Sequence, residues 1–264
     1  MRDRVVTAVV LAAGLLAVLF LLPAEAGQAA FAIMVLAGAW EWSALAGGRS
    51  TARRAAYVAA TAVVMVVCGW VSPGPVSVWL PWLSLAAWLV CFAFIVGYPS
   101  DLPSGLAGMV GLIVLPAGWF FLSRLHGDPD LGPPWVLVLF LLVAFADIGA
   151  FFAGRALGRR PRAPAVSPKK TWEGVLGGLA AAGAGGALAG MVFGRPALAM
   201  LAVGIAVAAV SVIGDLTVSM FKRAVGLKDS GTILPGHGGV LDRTDSLLAA
   251  APLFFVAVGR MSGG

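Results

Sequence analysis

Nine apolar runs follow one another along 264 residues, most of them near the twenty residues a helix needs to cross a bilayer. They fall at about 5–22, 27–47, 56–71, 78–96, 105–124, 134–154, 171–193, 197–220 and 246–260. With 60 % hydrophobic and 11 % charged residues and a mean hydropathy of +0.97, such a chain is not a water-soluble globule. A β-barrel is disfavoured because barrel strands alternate apolar and polar residues, whereas these runs are continuous. The expectation is an all-α, polytopic transmembrane bundle of about nine spans. The third and ninth runs are short, which leaves their ends the least constrained. Short loops rich in Gly and Pro, such as Ser72-Pro-Gly-Pro75, Tyr98-Pro99 and Gly132-Pro-Pro134, read as turns between helices. No internal repeat and no separate soluble domain is visible.

Charge sets the orientation. With a cytoplasmic N-terminus, fifteen of the 18 basic residues fall in inside loops, leaving only Arg124, Arg195 and Arg260 outside. Arg2, Arg4 and Ala24-Glu-Ala26 imitate a secretory leader, but the first apolar run exceeds a leader's usual core, so a retained helix is expected. The net charge of +6 does not point to nucleic acid, because the basic residues sit between apolar runs, where they act as retention signals. Cys68 and Cys91 lie within apolar runs and form no CxxC pair, so buried, inert thiols are expected. Residues 1–130 read as scaffold helices. Residues 131–264 read as the chemically active part, with loops 155–170 and 221–245 on one cytoplasmic face of a bacterial-type inner membrane.

The polar groups concentrate late in the chain. Residues 215–245 hold eight of the 30 charged side chains and one of two histidines. Both signs of charge gathered around a glycine-rich turn are too costly to desolvate unless they pair, bind metal or reach water. This stretch reads as the working end of a membrane enzyme that handles phosphates. Asp147 lies eight residues before Arg155 and Asp215 seven before Lys222, depths of about 12 and 10 Å below the helix ends. The two carboxylates can share one cavity. Alternatively each pairs with its own helix-end base, since Asp215, Ser219 and Lys222 share a helical face. Asp242 and Asp245 are three apart and face the same way on a helix. Asp245-Ser246 also reads as an N-cap, while Asp242, between Gly238-Gly239 and Arg243, reads rather as a ligand. Carboxylates from Asp215 and Asp242 suit Mg²⁺, a hard cation that keeps phosphates as partners.

In the other loop, Ser167-Pro168 reads as N-cap and first-turn proline of the seventh span. Such a helix N-terminus favours anions, and Lys169 and Lys170 add charge there. Arg159, Arg160 and Arg162 read as merely solvated. His237 sits between glycines, so a core histidine fits poorly; a phosphate donor or a proton acceptor are the functional readings. Gly236, Gly238 and Gly239 let backbone N–H groups turn toward an anion. Gly174 and Gly178, and Gly186, Gly190 and Gly194, recur every four residues, allowing close packing within the bundle or across a homodimer. The tryptophans suit anchoring or packing. Glu41, between Trp40 and Trp42, has no role that the sequence assigns.

At these residues the chain resembles phosphatidate cytidylyltransferase, also called CDP-diacylglycerol synthase. That family's signature runs S-x-x-K-R-x4-K-D-x-G-x2-L-P-x-H-G-G-x2-D-R-x-D. It is matched at Ser219, Lys222, Arg223, Lys228, Asp229, Gly231, Leu234, Pro235, His237, Gly238, Gly239, Asp242, Arg243 and Asp245. Asp147-Ile-Gly-Ala-Phe151 and Ser167-Pro-Lys-Lys-Thr-Trp-Glu-Gly174 are similar to the family's middle segment, with Phe151 where an aromatic, often tyrosine, is expected. The resemblance covers roughly residues 140–250. It implies that CTP and phosphatidate give CDP-diacylglycerol and pyrophosphate with Mg²⁺, and that a second cation, K⁺, takes part. On this reading Asp215 and Asp242, with Asp245, hold metal. Lys222, Arg223, Lys228 and Arg243 bind phosphates, as Ser219 does by its place in the signature. Lys169 and Lys170 line the nucleotide entrance, His237 acts in the chemistry, and Asp147 supports the site from its facing helix. A CTP-dependent polyprenol kinase would transfer the γ-phosphate instead. A transporter would be expected to show acids at mid-membrane and two related halves, which this chain lacks.

Overall fold

A computed structural model describes residues 2–71, 76–99, 102–103, 105–233 and 238–262. Each apolar run becomes one helix: α1 (Arg2–Phe20), α2 (Ala24–Leu45), α3 (Thr51–Trp70), α4 (Val76–Gly97), α5 (Leu106–His126), α6 (Gly132–Leu157), α7 (Trp172–Val192), α8 (Ala197–Ala224) and α9 (Leu241–Ser262). Eight of these, α2 to α9, are long and apolar enough to cross a membrane. The protein is a polytopic helical membrane protein.

The two runs expected to be short are full-length helices, and capping explains both. Ser50 accepts the Arg53 backbone N–H at 3.3 Å, so α3 starts at Thr51 despite its two arginines. The ninth helix starts at Leu241, five residues before its apolar run.

One expectation is corrected outright. Within loop 155–170 the chain forms an antiparallel hairpin, β1 (Pro161–Ala163) and β2 (Ser167–Thr171), pairing Pro161 with Thr171 and Ala163 with Ser167. The fold remains helical in class with this one short hairpin added, and it is Ser167-Pro168 that is not the start of α7. Thr171 caps that helix, its hydroxyl accepting from Gly174 N at 3.2 Å. Glu173, in the first turn, accepts the Arg159 and Arg160 backbone N–H groups at 3.1 and 3.2 Å. These bonds satisfy backbone donors at the mouth of the loop, and the hairpin hangs from them. Val166, at its tip, is buried and anchors it to the bundle.

Helices α2, α5 and α9 make the centre, with Trp42, Phe121 and Phe254 fully buried there. Trp88 of α4 meets Trp42 edge to face at 6.3 Å, whereas Trp79 and Trp82 stay exposed. Cys68 and Cys91 are free and buried. Lipid tails give helices no hydrophobic reason to associate, so small residues that admit close backbone contact decide the packing. The glycines of α7 act in this way inside the bundle. A Cβ at Gly174 would lie 2.9 Å from the Ala150 carbonyl of α6, and one at Gly178 2.7 Å from that of Ala146. On the other side Gly186 and Gly190 admit Met200 of α8. Gly194 instead takes a left-handed turn at φ +65°. Thus α7 is a thin wedge that holds α6 and α8 close, and this sets the width of the space between them.

Candidate functional site

Where α6, α7 and α8 meet the hairpin lies a cavity of about 410 Å³ lined by Asp147, Arg162, Lys170, Ser211, Asp215 and Ser246, among others. It brings together the two acids that the helix depths suggested. Asp215 does not pair with the base on its own helix. Its Oδ2 takes Lys170 Nζ at 2.5 Å and lies 3.8 Å from Arg162 Nη2, both from the hairpin. Lys222, two turns further along α8, reaches Asp242 Oδ1 at 2.6 Å instead.

Asp242 is fully engaged. Its other oxygen accepts Ser230 N at 2.9 Å and Gly239 N at 3.2 Å, tying both residues to the start of α9. Gly238 makes this turn at φ +83°, a conformation that favours glycine. Asp245 is buried one turn further on and accepts the Ser246 N–H at 2.7 Å. It is not the N-cap of α9, because the helix already begins at Leu241. Gly214 lets this turn approach α8, since a Cβ there would stand 2.8 Å from the Asp245 carbonyl. Asp245 is thereby within electrostatic reach of Asp215, Lys170 and Lys222. Asp147 in turn feels Lys170, Asp215 and Arg243.

Two residues that sequence reasoning left aside prove central. Glu41 of α2 is buried, and its carboxylate accepts Ser230 Oγ at 2.8 Å, Val240 N at 3.0 Å and Leu241 N at 2.8 Å. It caps α9 from another helix and also holds the loop. Arg162, read as solvated, is a correction: its side chain is 6 % exposed. Its Nε and Nη2 are buried without a hydrogen-bond acceptor among the described residues. Burial pushes its pKa below the ordinary arginine value, with the Asp215 charge pulling the other way. No local signal sets Arg162 apart from its arginine neighbours, whereas an acid flanked by tryptophans in an apolar run was at least conspicuous.

Arg223 is exposed and ties the end of α8 to the hairpin, donating to Val166 O at 3.4 Å and to Leu227 O at 3.3 Å. Arg243 and Lys228 are exposed, and Ser219 is half-buried on α8. Lys169 lies in β2, but its side chain is outside what is described, and His237 lies outside the described residues altogether. Among the described residues no three acidic, histidine or cysteine side chains form a ready metal cage.

Known proteins share this chain's sequence along nearly its whole length. The model of the cytidylyltransferase family matches residues 2–260. The phosphatidate cytidylyltransferase of Pseudomonas aeruginosa is 43 % identical over 262 residues, covering 96 % of this chain and 95 % of that protein. The protein of the same name from Haemophilus influenzae is 36 % identical over 285 residues, covering 96 % and 97 %. That of Brucella suis is 50 % identical over 141 residues, about half of each chain.

Proposed function

The chain belongs to the cytidylyltransferase family, and on that premise we propose that it joins the cytidylyl group of CTP to phosphatidate, releasing pyrophosphate and leaving CDP-diacylglycerol in the membrane. The observation that carries this reading is the cavity itself. Acids from α6 and α8 line the same space as Lys170 and Arg162 of the hairpin, at the end of long apolar helices. A lipid phosphate and a nucleotide are both anions, and both must be screened before a phosphate oxygen of one can attack the α-phosphorus of the other. Lys170, which lines the cavity, and Lys222 would do this, each balanced by an aspartate that an incoming phosphate can replace. Arg223, Lys228 and Arg243 are exposed and would draw in the triphosphate. The site faces the cytoplasm, where most basic residues lie and where CTP is supplied.

Mg²⁺ fits the residues present in a limited way. This cation is commonly held by one or two carboxylates together with substrate phosphates and water, so the lack of a three-residue cage does not conflict with it. Asp215 and Asp245 would be the pair: Asp215 lines the cavity, Asp245 adjoins Ser246, which lines it too, and Gly214 lets the Asp245 turn approach α8. Asp242 joins them only by releasing Lys222, since each of its oxygens already has a donor. When bound, the cation would neutralise phosphate charge and polarise the α-phosphoryl group. Lys170 and Lys222 would hold the remaining negative charge, with Asp147 lining the same cavity as Lys170.

The test is a purified-protein assay with phosphatidate, Mg²⁺ and CTP labelled at either the α- or the γ-phosphorus. Label entering lipid from the α-position supports the reading, and label entering only from the γ-position would mark a lipid kinase. Asp215→Asn is expected to lower turnover by about 10²–10³-fold, as does the loss of one preorganised electrostatic group elsewhere.

A further inference from the structure

A second, larger chamber of about 600 Å³ lies against the first, between α4, α7, α8 and the hairpin. Its wall is apolar, with Phe92, Ile95, Ile213 and Leu216 prominent, and two of its apolar residues, Val96 and Trp172, are exposed. The chamber shares Val175, Leu179, Val212 and Arg162 with the polar cavity, so the two spaces adjoin along that seam. Among the described residues, Arg162 is the only charged one lining it.

That arginine is unusual. It is buried, two of its nitrogens lack an acceptor among the described residues, and the carboxylate of Asp215 stands 3.8 Å away and is already held at 2.5 Å by Lys170. A buried guanidinium with unspent donors is costly, and its planar fork suits a phosphate's oxygens. The ligand that meets both features carries a phosphate at one end and hydrocarbon at the other. CTP has nothing to place in the apolar chamber. Building on the transferase reading above, we infer that the chamber takes an acyl chain of phosphatidate while Arg162 binds the lipid's phosphate at the seam, presenting it to the nucleotide held beside Asp215 and Lys170.

The experiment varies CTP and phosphatidate separately in detergent micelles for wild type, Arg162→Gln, Arg162→Lys and Ala209→Trp, the last filling the chamber wall. Arg162→Gln is expected to raise the KM for dioleoyl phosphatidate about tenfold, the loss of one charge-assisted contact, with the KM for CTP unchanged and partial recovery in Arg162→Lys. Ala209→Trp is expected to raise the KM for dioleoyl phosphatidate and to spare a dihexanoyl analogue. A rise in the KM for CTP in the Arg162 variants, no change in either KM, or an equal effect of Ala209→Trp on both lipids overturns the assignment. A separate readout does not need turnover: brominated acyl chains on phosphatidate should quench Trp172 fluorescence, taken as the difference from Trp172→Phe, and less so in Ala209→Trp. If wild type transfers no α-label to lipid, the transferase reading fails, and the quenching alone then decides the chamber. Equal quenching in wild type and Ala209→Trp sinks it.

Discussion

Glu41 and Leu241 are 200 residues apart, and the carboxylate of the first accepts the backbone N–H of the second at 2.8 Å. The same side chain takes Val240 N and Ser230 Oγ. A helix start leaves N–H groups without intrahelical partners and carries a partial positive charge. A buried anion placed there is therefore stabilised by the dipole and stabilises the cap. Gly231 and Gly239, two positions of the shared signature, leave room for this carboxylate, since a Cβ at either would collide with it.

Glu41→Ala should accordingly destabilise the protein more than most helix substitutions. Three donors lose their acceptor, at roughly 1–3 kcal/mol for each that stays buried. Glu41→Gln keeps one acceptor oxygen where two are in use, so it should fall between. Thermal unfolding in detergent orders the three proteins. Activity should fall with the cap, because Asp242 and Asp245 ride on the same first turns of α9. A Glu41→Ala protein as stable and active as wild type would remove the capping argument.

The wedge role of α7 makes a second expectation. At Gly186 a Cβ would run into the Met200 carbonyl and lie 3.3 Å from Gly204 Cα, both main-chain neighbours that cannot swing aside. Gly186→Ala should force α7 and α8 apart, at about 1–3 kcal/mol for overpacking. Gly194→Ala, with nothing within 4 Å but a left-handed φ of +65°, tests backbone strain alone. Unfolding temperatures of the two variants, with the Asp215-dependent activity followed in parallel, separate packing from strain. Only Gly186→Ala should lower activity beyond its loss of folded protein.

Lys222 and Asp242 supply a third. Their side chains are only 12 % and 10 % exposed, and breaking such a pair leaves one charge poorly solvated. Asp242→Asn should be worse than Lys222→Met. An asparagine cannot accept from Lys222, Ser230 N and Gly239 N with its single oxygen without turning its own N–H₂ toward a donor. A double-mutant cycle on unfolding free energy should give a coupling of about 1–3 kcal/mol. Additive effects would mean that the pair is incidental.

What the sequence made legible follows the range of the interactions involved. The helices were visible because each is a continuous apolar run, and Asp215, Lys222 and Asp242 because they stand out against it. The partners were not. That Lys222 takes Asp242 and leaves Asp215 to Lys170 depends on how the hairpin folds back over α8. The hairpin is held by Glu173, Thr171 and a single buried valine, with no strand-like run to announce it. Ser50 offered a local signal for the start of α3, whereas the start of α9 depends on Glu41, which no local pattern connects to it. Arg162 was hidden by its company, since four arginines in one loop look alike until one is buried.

The division of labour among the aspartates leads to the last expectation. Asp215 lines the cavity and Asp245 is buried beside Ser246, which lines it too, while both oxygens of Asp242 are engaged, so the three should differ in how they respond to cation. Chelation with EDTA should abolish turnover in wild type, and added Mg²⁺ should restore it. Asp215→Asn and Asp245→Asn should raise the Mg²⁺ concentration needed for half-maximal rate while leaving the unfolding temperature nearly unchanged or higher, because each removes a like charge from beside its neighbour. Asp242→Asn should do the reverse, lowering the unfolding temperature while the folded fraction keeps a Mg²⁺ requirement close to that of wild type. Titrating activity against Mg²⁺ beside a melting curve for each variant reads both quantities. If Asp242→Asn shifts the Mg²⁺ requirement as far as Asp215→Asn does, then Lys222 leaves Asp242 when substrate binds, and the clasp of the resting site becomes a ligand of the working one.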